Sequence, residues 1–278
     1  MKVENCIVSV ERRTAAECVD LSFVFMREFF SPILRLWLVC AVPACFFVWG
    51  LTSLTTDMLL PSILIFLVFS SIFSSLLTVC LGPQVFAVPI SLREAFRGWI
   101  RRFPAWLLAV VVAWLFQCLA GFCLVLPAVL VTAYVGHLPE VLFLEKTSLR
   151  NLHARLSWLS GHGGYRRNLG SAIELLGYWA ALSSGIFVIL DLLSGTLLNR
   201  PVFLGRIFAD GASRGDVLVQ LLLDDPLFLT GLQLAVWIPY PLIRVAWFFC
   251  YLDQRIRSEC WDLQVTLRSE AHRLEKSS

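Results

Sequence analysis

The sequence predicts an all-α fold: a polytopic integral membrane bundle of six transmembrane helices, with basic amphipathic helices along its cytoplasmic surface. Three observations predict it. Apolar residues make up 58% of the chain and charged residues only 15%, against roughly 25% charged in an average soluble domain. The mean hydropathy is +0.75. The 42 residues from Pro104 to Glu145 contain no Lys, Arg or Asp, and their only acids are Glu140 and Glu145. As a helix they would measure roughly 63 Å, about twice the ~30 Å hydrocarbon thickness of a bilayer, so they must fold back on themselves. Leu124-Val125-Leu126-Pro127 marks the turn. Arg101 and Arg102 precede the hairpin, and Lys146, Arg150 and Arg155 follow it. Both feet are basic and the tip is uncharged, which places the feet in the cytoplasm and the tip outside.

No cleavable signal peptide is expected from the opening residues. The first thirty residues mix Lys2, Arg12, Arg13 and Arg27 with Glu4, Glu11, Glu17, Asp20 and Glu28 and lack a 7–15-residue apolar core. Residues 14–30 read as the first interfacial helix. Thr14 and Glu17 form a capping box, Cys18, Leu21, Phe25 and Phe29 share a face, and Arg27 and Glu28 turn away from it. The first span, 32–51, carries Arg35 one turn inside, placed to snorkel, and Pro43 as a kink site. A short link with Asp57 and no basic residue is expected outside. The second span, 61–81, offers Ser70, Ser71, Ser74 and Ser75 for helix–helix contact and is expected to close at Gly82-Pro83.

Residues 91–103 repeat the opening pattern. Ser91 and Glu94 make a second capping box, Leu92, Ala95, Phe96, Trp99, Ile100 and Phe103 an apolar stripe, and Arg93, Arg97, Arg101 and Arg102 a basic side. Such a helix is expected against anionic lipid headgroups. Spans three and four, 104–124 and 127–145, form the hairpin. Residues 147–161 are a third interfacial helix, with Leu149, Leu152, Leu156 and Leu159 on one side and Arg150 and Arg155 on the other. The fifth span covers 169–193. Residues 194–226 form an extracytoplasmic loop in which Asp216 to Leu223 suit a short helix. The sixth span, 227–252, contains Pro239 and Pro241, so it should break at mid-depth, and Arg244 should snorkel or pair. Residues 253–278 are a charged, helical tail, with Asp253–Arg257 and Arg255–Glu259 at i,i+4. Basic residues concentrate in alternate links, so six spans place both termini in the cytoplasm. Each basic helix with the pair of spans after it also suggests an internal repeat: Arg27-Glu28-Phe29-Phe30-Ser31-Pro32 echoes Arg101-Arg102-Phe103-Pro104.

The last elements resemble a known family. Tyr251-Leu252-Asp253-Gln254-Arg255-Ile256-Arg257-Ser258-Glu259-Cys260-Trp261-Asp262-Leu263 is similar to the closing pattern of the bacterial six-helix membrane proteins named for the domain beside glycerophosphoryl diester phosphodiesterases. Ser91-Leu92-Arg93-Glu94-Ala95-Phe96, Leu126-Pro127, Leu144-Glu145, and Leu156-Ser157-Trp158 with Gly161-His162 resemble its other segments. Gln254 and Cys260 depart from its usual Leu and Gly. The resemblance implies a membrane fold in the bacterial inner membrane. It implies no phosphodiesterase activity, because the catalytic domain of that family has no counterpart here.

Candidate chemistry is sparse. His137 and Glu140 are three apart in the fourth span with Pro139 between them, where a proline opens the helix. Ionisable groups at that depth cost ~2.5–3.5 kcal/mol each on insertion scales, so they must face protein or water. The functional reading is a proton or ligand site; the structural reading is a neutral pair that satisfies freed backbone. Gln117 is expected to hydrogen-bond between helices, Glu174 to meet Arg166, Arg167 or Glu140, and Asp191 to reach outer water. Asp253, Arg255, Arg257 and Glu259 form a charge network suited to a lipid or protein partner. No motif for hydrolysis, nucleotide or zinc binding is present, and no cofactor is expected. Nine cysteines without a CxxC read as small apolar residues rather than disulfides. With a net charge of +3, nucleic-acid binding has no electrostatic basis. With catalytic motifs missing, the favoured expectation is a non-enzymatic scaffold or accessory subunit, partnered by the bilayer and by another membrane protein or a second copy. A small-solute or lipid transporter is the alternative, and a membrane-embedded enzyme the third reading.

Overall fold

The computed structural model describes residues 12–54, 59–85, 92–123, 125–161, 163–197, 221, 223 and 225–259, with the backbone alone for 92, 121–123, 125 and 126. Asp57, Ser91, Leu124, His162, most of the 194–226 loop and the tail beyond Glu259 lie outside them. Every element among the described residues is an α-helix: α1 Ala15–Glu28, α2 Phe30–Thr52, α3 Leu59–Val85, α4 Leu92–Cys123, α5 Val125–Val135, α6 Leu138–Phe143, α7 Leu149–Ser160, α8 Gly164–Leu197, α9 Pro226–Trp237 and α10 Tyr240–Glu259. Five stretches are long and apolar enough to cross a membrane: Phe30–Thr52, Leu59–Val85, Arg93–Ala120, Gly164–Leu197 and Pro226–Glu259. Large apolar side chains cover the outside of these helices. Phe46 on α2 is 72% exposed and Leu119 on α4 is 68% exposed, which water would penalise and lipid would not.

The chain divides into two units. The first takes in the described parts of Met1–Glu28, Ser74–Leu175 and Arg244–Ser278; the second takes in Phe29–Phe73 and Leu176–Ile243.

In the first unit, α1 starts with the expected capping box. The Thr14 N–H donates to Glu17 Oε2 at 2.7 Å and the Glu17 N–H donates to Thr14 Oγ1 at 3.3 Å. The bond from the Thr14 N–H holds the Glu17 carboxyl below the usual glutamate range. Ala15, Cys18, Val19, Ser22 and Phe25 face the interior, at the i, i+3, i+4, i+7 spacing of one helix face. Phe25 meets the Phe249 ring edge-on at 5.5 Å. Phe23 and Val24 are exposed, so α1 is apolar on two sides.

The hairpin forms where the charge-free stretch predicts it. α5 packs back along α4, and Gln117 Nε2 donates across it to Thr132 Oγ1 at 3.2 Å. Several boundaries differ from expectation. Residues 92–123 are one helix with Pro104 inside it, so no element boundary separates a surface helix from the third span. A proline within a helix removes one N–H donor but need not end it when neighbouring packing holds both sides. Here Ala95, Trp99, Trp106, Ala109 and Val110 are buried on both sides of Pro104, and the Trp99 indole donates to Ser75 Oγ on α3 at 2.7 Å. The α1–α2 junction is interrupted at Phe29, so the two halves of the supposed repeat differ here. Pro83 likewise lies inside α3, which runs on to Val85 rather than closing at Gly82-Pro83. A Cβ at Gly82 would lie 2.6 Å from Leu144 Cδ1, so the small residue makes room for that side chain. The expected fourth span is two helices. α5 stops at Val135, Gly136 and His137 form a turn, and α6 starts at Leu138 with Pro139 in its first turn. In α7, Leu152, Leu156 and Leu159 are buried as the stripe predicts, while Leu149 is exposed.

In the second unit, α2 packs along α9. Asp225 caps α9, accepting from the Phe228 N–H at 2.9 Å, and Pro226 follows where its missing N–H costs nothing. Val48, Leu221, Phe228 and Leu229 form a core. The break expected from Pro239 and Pro241 is present: α9 ends at Trp237 and α10 starts at Tyr240. Phe66, Phe73, Trp179, Trp237 and Tyr240 cluster around it, with ring centroids 5.4–6.3 Å apart. Of the four α3 serines expected at helix contacts, Ser70 is buried in this unit and its carbonyl accepts from the Tyr240 hydroxyl at 3.3 Å. Asp191 is 4% exposed and does not reach outer water. α8 is 34 residues, about 51 Å long, and so extends past both ends of the expected fifth span.

Candidate functional site

The break between α5 and α6 creates the site. Gly136 leads the turn, where a Cβ would lie 2.6 Å from both the Thr132 carbonyl oxygen and Trp247 Cζ2. Only glycine fits between a backbone oxygen and a flat indole. The helix gap leaves the Gly136 carbonyl without its i+4 donor, and the Trp247 Nε1–H supplies one at 2.9 Å. His137 follows. Its ring stacks on Trp247 with centroids 4.6 Å apart and planes at 21°, and it lies 5.5 Å from the Tyr251 ring. His137 Nε2 is 3.4 Å from Asn168 Oδ1, and Asn168 Nδ2 donates to the Ala133 carbonyl at 3.4 Å. One turn on, Glu140 Oε1 accepts from Arg244 Nη2 of α10. Glu140 is fully buried and Arg244 is 7% exposed. Arg244 therefore pairs rather than snorkels. An ion pair this buried holds only because each charge neutralises the other, since either alone would carry a desolvation cost of several kcal/mol.

A second charged layer closes the end of α10. Residues 253 and 257 lie on one helix face, and 255 and 259 lie about 200° round from them. The two expected i,i+4 pairs therefore form on opposite sides. Arg257 Nε contacts Asp253 Oδ2 at 2.8 Å and Arg255 Nη2 contacts Glu259 Oε2 at 2.7 Å. The first pair holds the start of α1: the Arg13 N–H donates to Asp253 Oδ1 at 2.7 Å and Arg257 Nη2 donates to the Arg13 carbonyl at 3.0 Å. The second pair holds α7. Arg155 donates through Nε and Nη2 to the two oxygens of Glu145 and through Nη2 to Glu259. The Tyr251 hydroxyl donates to Glu145 Oε1 at 2.6 Å, and the Arg155 guanidinium lies 4.5 Å above the Trp158 ring. Burial opposes the charge on Arg155, yet the hydrogen bonds to Glu145 and Glu259 outweigh it and hold its pKa above the ordinary arginine value. Gln254, between the faces, donates to the Leu159 carbonyl.

Of the predicted intramembrane residues, His137 and Glu140 lie in one layer. Gln117 makes its interhelical bond elsewhere on the hairpin. Glu174 is exposed on α8 rather than placed against Arg166, Arg167 or Glu140. The four tail residues form two separate clamps and not one network. Sequence reasoning missed Asn168, Trp247, Glu145 and Arg155 as partners. A signal existed for Trp247, which follows Arg244 by three residues and so shares its face; none existed for Asn168. The described cysteines 18, 40, 45, 80, 118 and 250 are free, and Cys118 is exposed rather than buried. Among the described residues no three His, Cys, Asp or Glu side chains are grouped to hold a metal.

No protein-family model, curated protein or solved structure matches this chain.

Proposed function

We propose that the chain is a six-span protein of the bacterial inner membrane, with both termini cytoplasmic, that works as a non-enzymatic scaffold or accessory subunit. One observation carries the role. Glu140 and His137, the groups best suited to proton or solute chemistry, are spent on the packing: Glu140 on Arg244, and His137 between Trp247 and Asn168. The five long stretches are joined by the fourth span of that count, the broken stretch Pro127–Phe143, about 26 Å if helical throughout, which Leu144 and Glu145 extend toward the ~30 Å needed. The basic faces of α1, α7 and the start of α4 then lie along the cytoplasmic headgroups, as the family-like segments also imply.

Crosslinking in intact membranes followed by gentle purification tests the role. A membrane protein, or a second copy, recovered in fixed ratio is the expected result. Recovery of this chain alone, together with a proton or solute flux in proteoliposomes that His137→Ala abolishes, overturns it. Terminal tags reachable from outside intact cells would refute the topology separately. The transporter reading has one observation in its favour: His137 Nδ1 and Arg244 Nε are buried without hydrogen-bond partners among the described residues, beside a helix break of the kind that lines transport sites.

A further inference from the structure

We propose that a cleft among α1, α8 and α10 binds a phosphate group, carried by a lipid headgroup or by a small soluble phosphate ester. The cleft has a volume of about 190 Å³ and is lined by Arg13, Thr14, Ala15 and Cys18, by Arg167, Asn168 and Ser171, and by Cys250, Asp253 and Arg257. On α8, 171 lies three and four residues after 168 and 167, and on α10, 250, 253 and 257 follow the i, i+3, i+7 spacing, so each set lies toward one side of its helix.

The lining sets the ligand class. Three arginines, from three separate chain segments, line the cleft. The acid among them, Asp253, is already engaged by Arg257 Nε at 2.8 Å and by the Arg13 N–H at 2.7 Å. Glu17, close enough to feel Arg13 and Arg257, spends its carboxylate on the Thr14 N–H. Three arginines against these two acids leave the local balance positive. The Thr14 and Ser171 hydroxyls add neutral donors, and the Cys18 and Cys250 thiols with Ala15 give the cleft an apolar wall. Arginine forks match the non-bridging oxygens of a phosphate in pairs, two in a lipid diester and three in a soluble monoester, and the tetrahedral group accepts donors from several sides where a flat carboxylate accepts them in one plane. Arg167 is exposed and belongs to no ion pair among the described residues, so its charge faces solvent and any ligand there.

This reading goes beyond the scaffold role. Its lipid arm rests on the six-span topology, because the cleft must then lie at headgroup depth; its soluble arm does not. The test uses the full chain in neutral detergent. One arm titrates phosphatidylglycerol against phosphatidylcholine and counts bound lipid by native mass spectrometry. The other titrates inorganic phosphate and glycerol 1-phosphate by calorimetry. Arg167→Gln, at an exposed position, is expected to weaken binding about tenfold, the loss of one charge-assisted contact, while Arg93→Gln on the exposed side of α4 leaves it unchanged. Loss confined to the phosphatidylglycerol arm assigns a lipid headgroup, and loss in the soluble arm assigns the phosphate group itself. Binding absent from both arms, or equally sensitive to Arg93→Gln and Arg167→Gln, overturns the proposal.

Discussion

The two helix breaks solve one problem with opposite chemistry. Each interrupts an apolar stretch near a proline, and each leaves backbone carbonyls without helical donors. In the first unit the Trp247 indole donates to Gly136, and the gap is filled by His137 and the Glu140–Arg244 ion pair. In the second unit two indoles do the capping: Trp37 Nε1 donates to the Trp237 carbonyl at 2.8 Å and Trp179 Nε1 to the Val236 carbonyl at 3.1 Å. Pro241, four residues after Trp237, has no N–H to offer that carbonyl, and Trp37 takes its place. The surroundings are aromatic, with no ion pair among the described residues around the break. The difference shows what a break is for. Tryptophan caps are enough to make a break stable, so the charges at the first break serve something besides backbone satisfaction, namely fixing α6 to α10.

The largest expected effect breaks that comparison at its charged end. Arg244→Ala leaves Glu140 buried without its partner and should cost about 3–5 kcal/mol, read as a fall in thermal unfolding temperature in detergent. The double variant Glu140→Gln with Arg244→Met should recover most of it. Equal losses in the single and double variants would show that the pair does not act as a unit. At the same break, Gly136→Ala forces a methyl against the Thr132 carbonyl and the Trp247 indole and should cost about 1–3 kcal/mol, with a shift in Trp247 fluorescence. At the aromatic break, Trp37→Phe keeps the ring but strands one buried carbonyl, for about 1–2 kcal/mol. A loss there as large as that of Arg244→Ala would erase the contrast between the two regions.

The smallest effect lies at the start of α1. The Glu17 carboxyl titrates below its ordinary value in the folded chain. Its contribution is therefore complete above the unfolded glutamate pKa and is lost as pH falls through the lower folded one. Hydrogen exchange of the α1 amides should accelerate in that acid window, and Glu17→Gln should flatten the response.

Much of the architecture was legible because lipid imposes a simple rule on sequence: stretches that cross it exclude charge, and their ends collect it. The hairpin, the break at Pro239 and Pro241, the Thr14–Glu17 cap and both i,i+4 pairs of α10 follow from spacing along one chain, and local geometry forms them without help. Pro104 and Pro83 misled for the opposite reason. A proline's local cost is the same everywhere, and packing on either side, such as Trp99 against Ser75, decides whether the helix continues. Asp191 and Glu174 were exchanged in the same way: residue type could not say which acid turns inward.

The sequence by itself determined where the chain is apolar, where it turns and which residues lie on one helix face, since those depend on composition and on the helical repeat. Only the tertiary structure decided that Glu140 meets Arg244, that His137 lies under Trp247, and that Arg13, Arg167 and Arg257 share a cleft. These groups stand as many as 244 positions apart along the chain, and no periodicity reaches that far. Their meeting depends on how whole helices pack, a property of side-chain volume in three dimensions rather than of order along one.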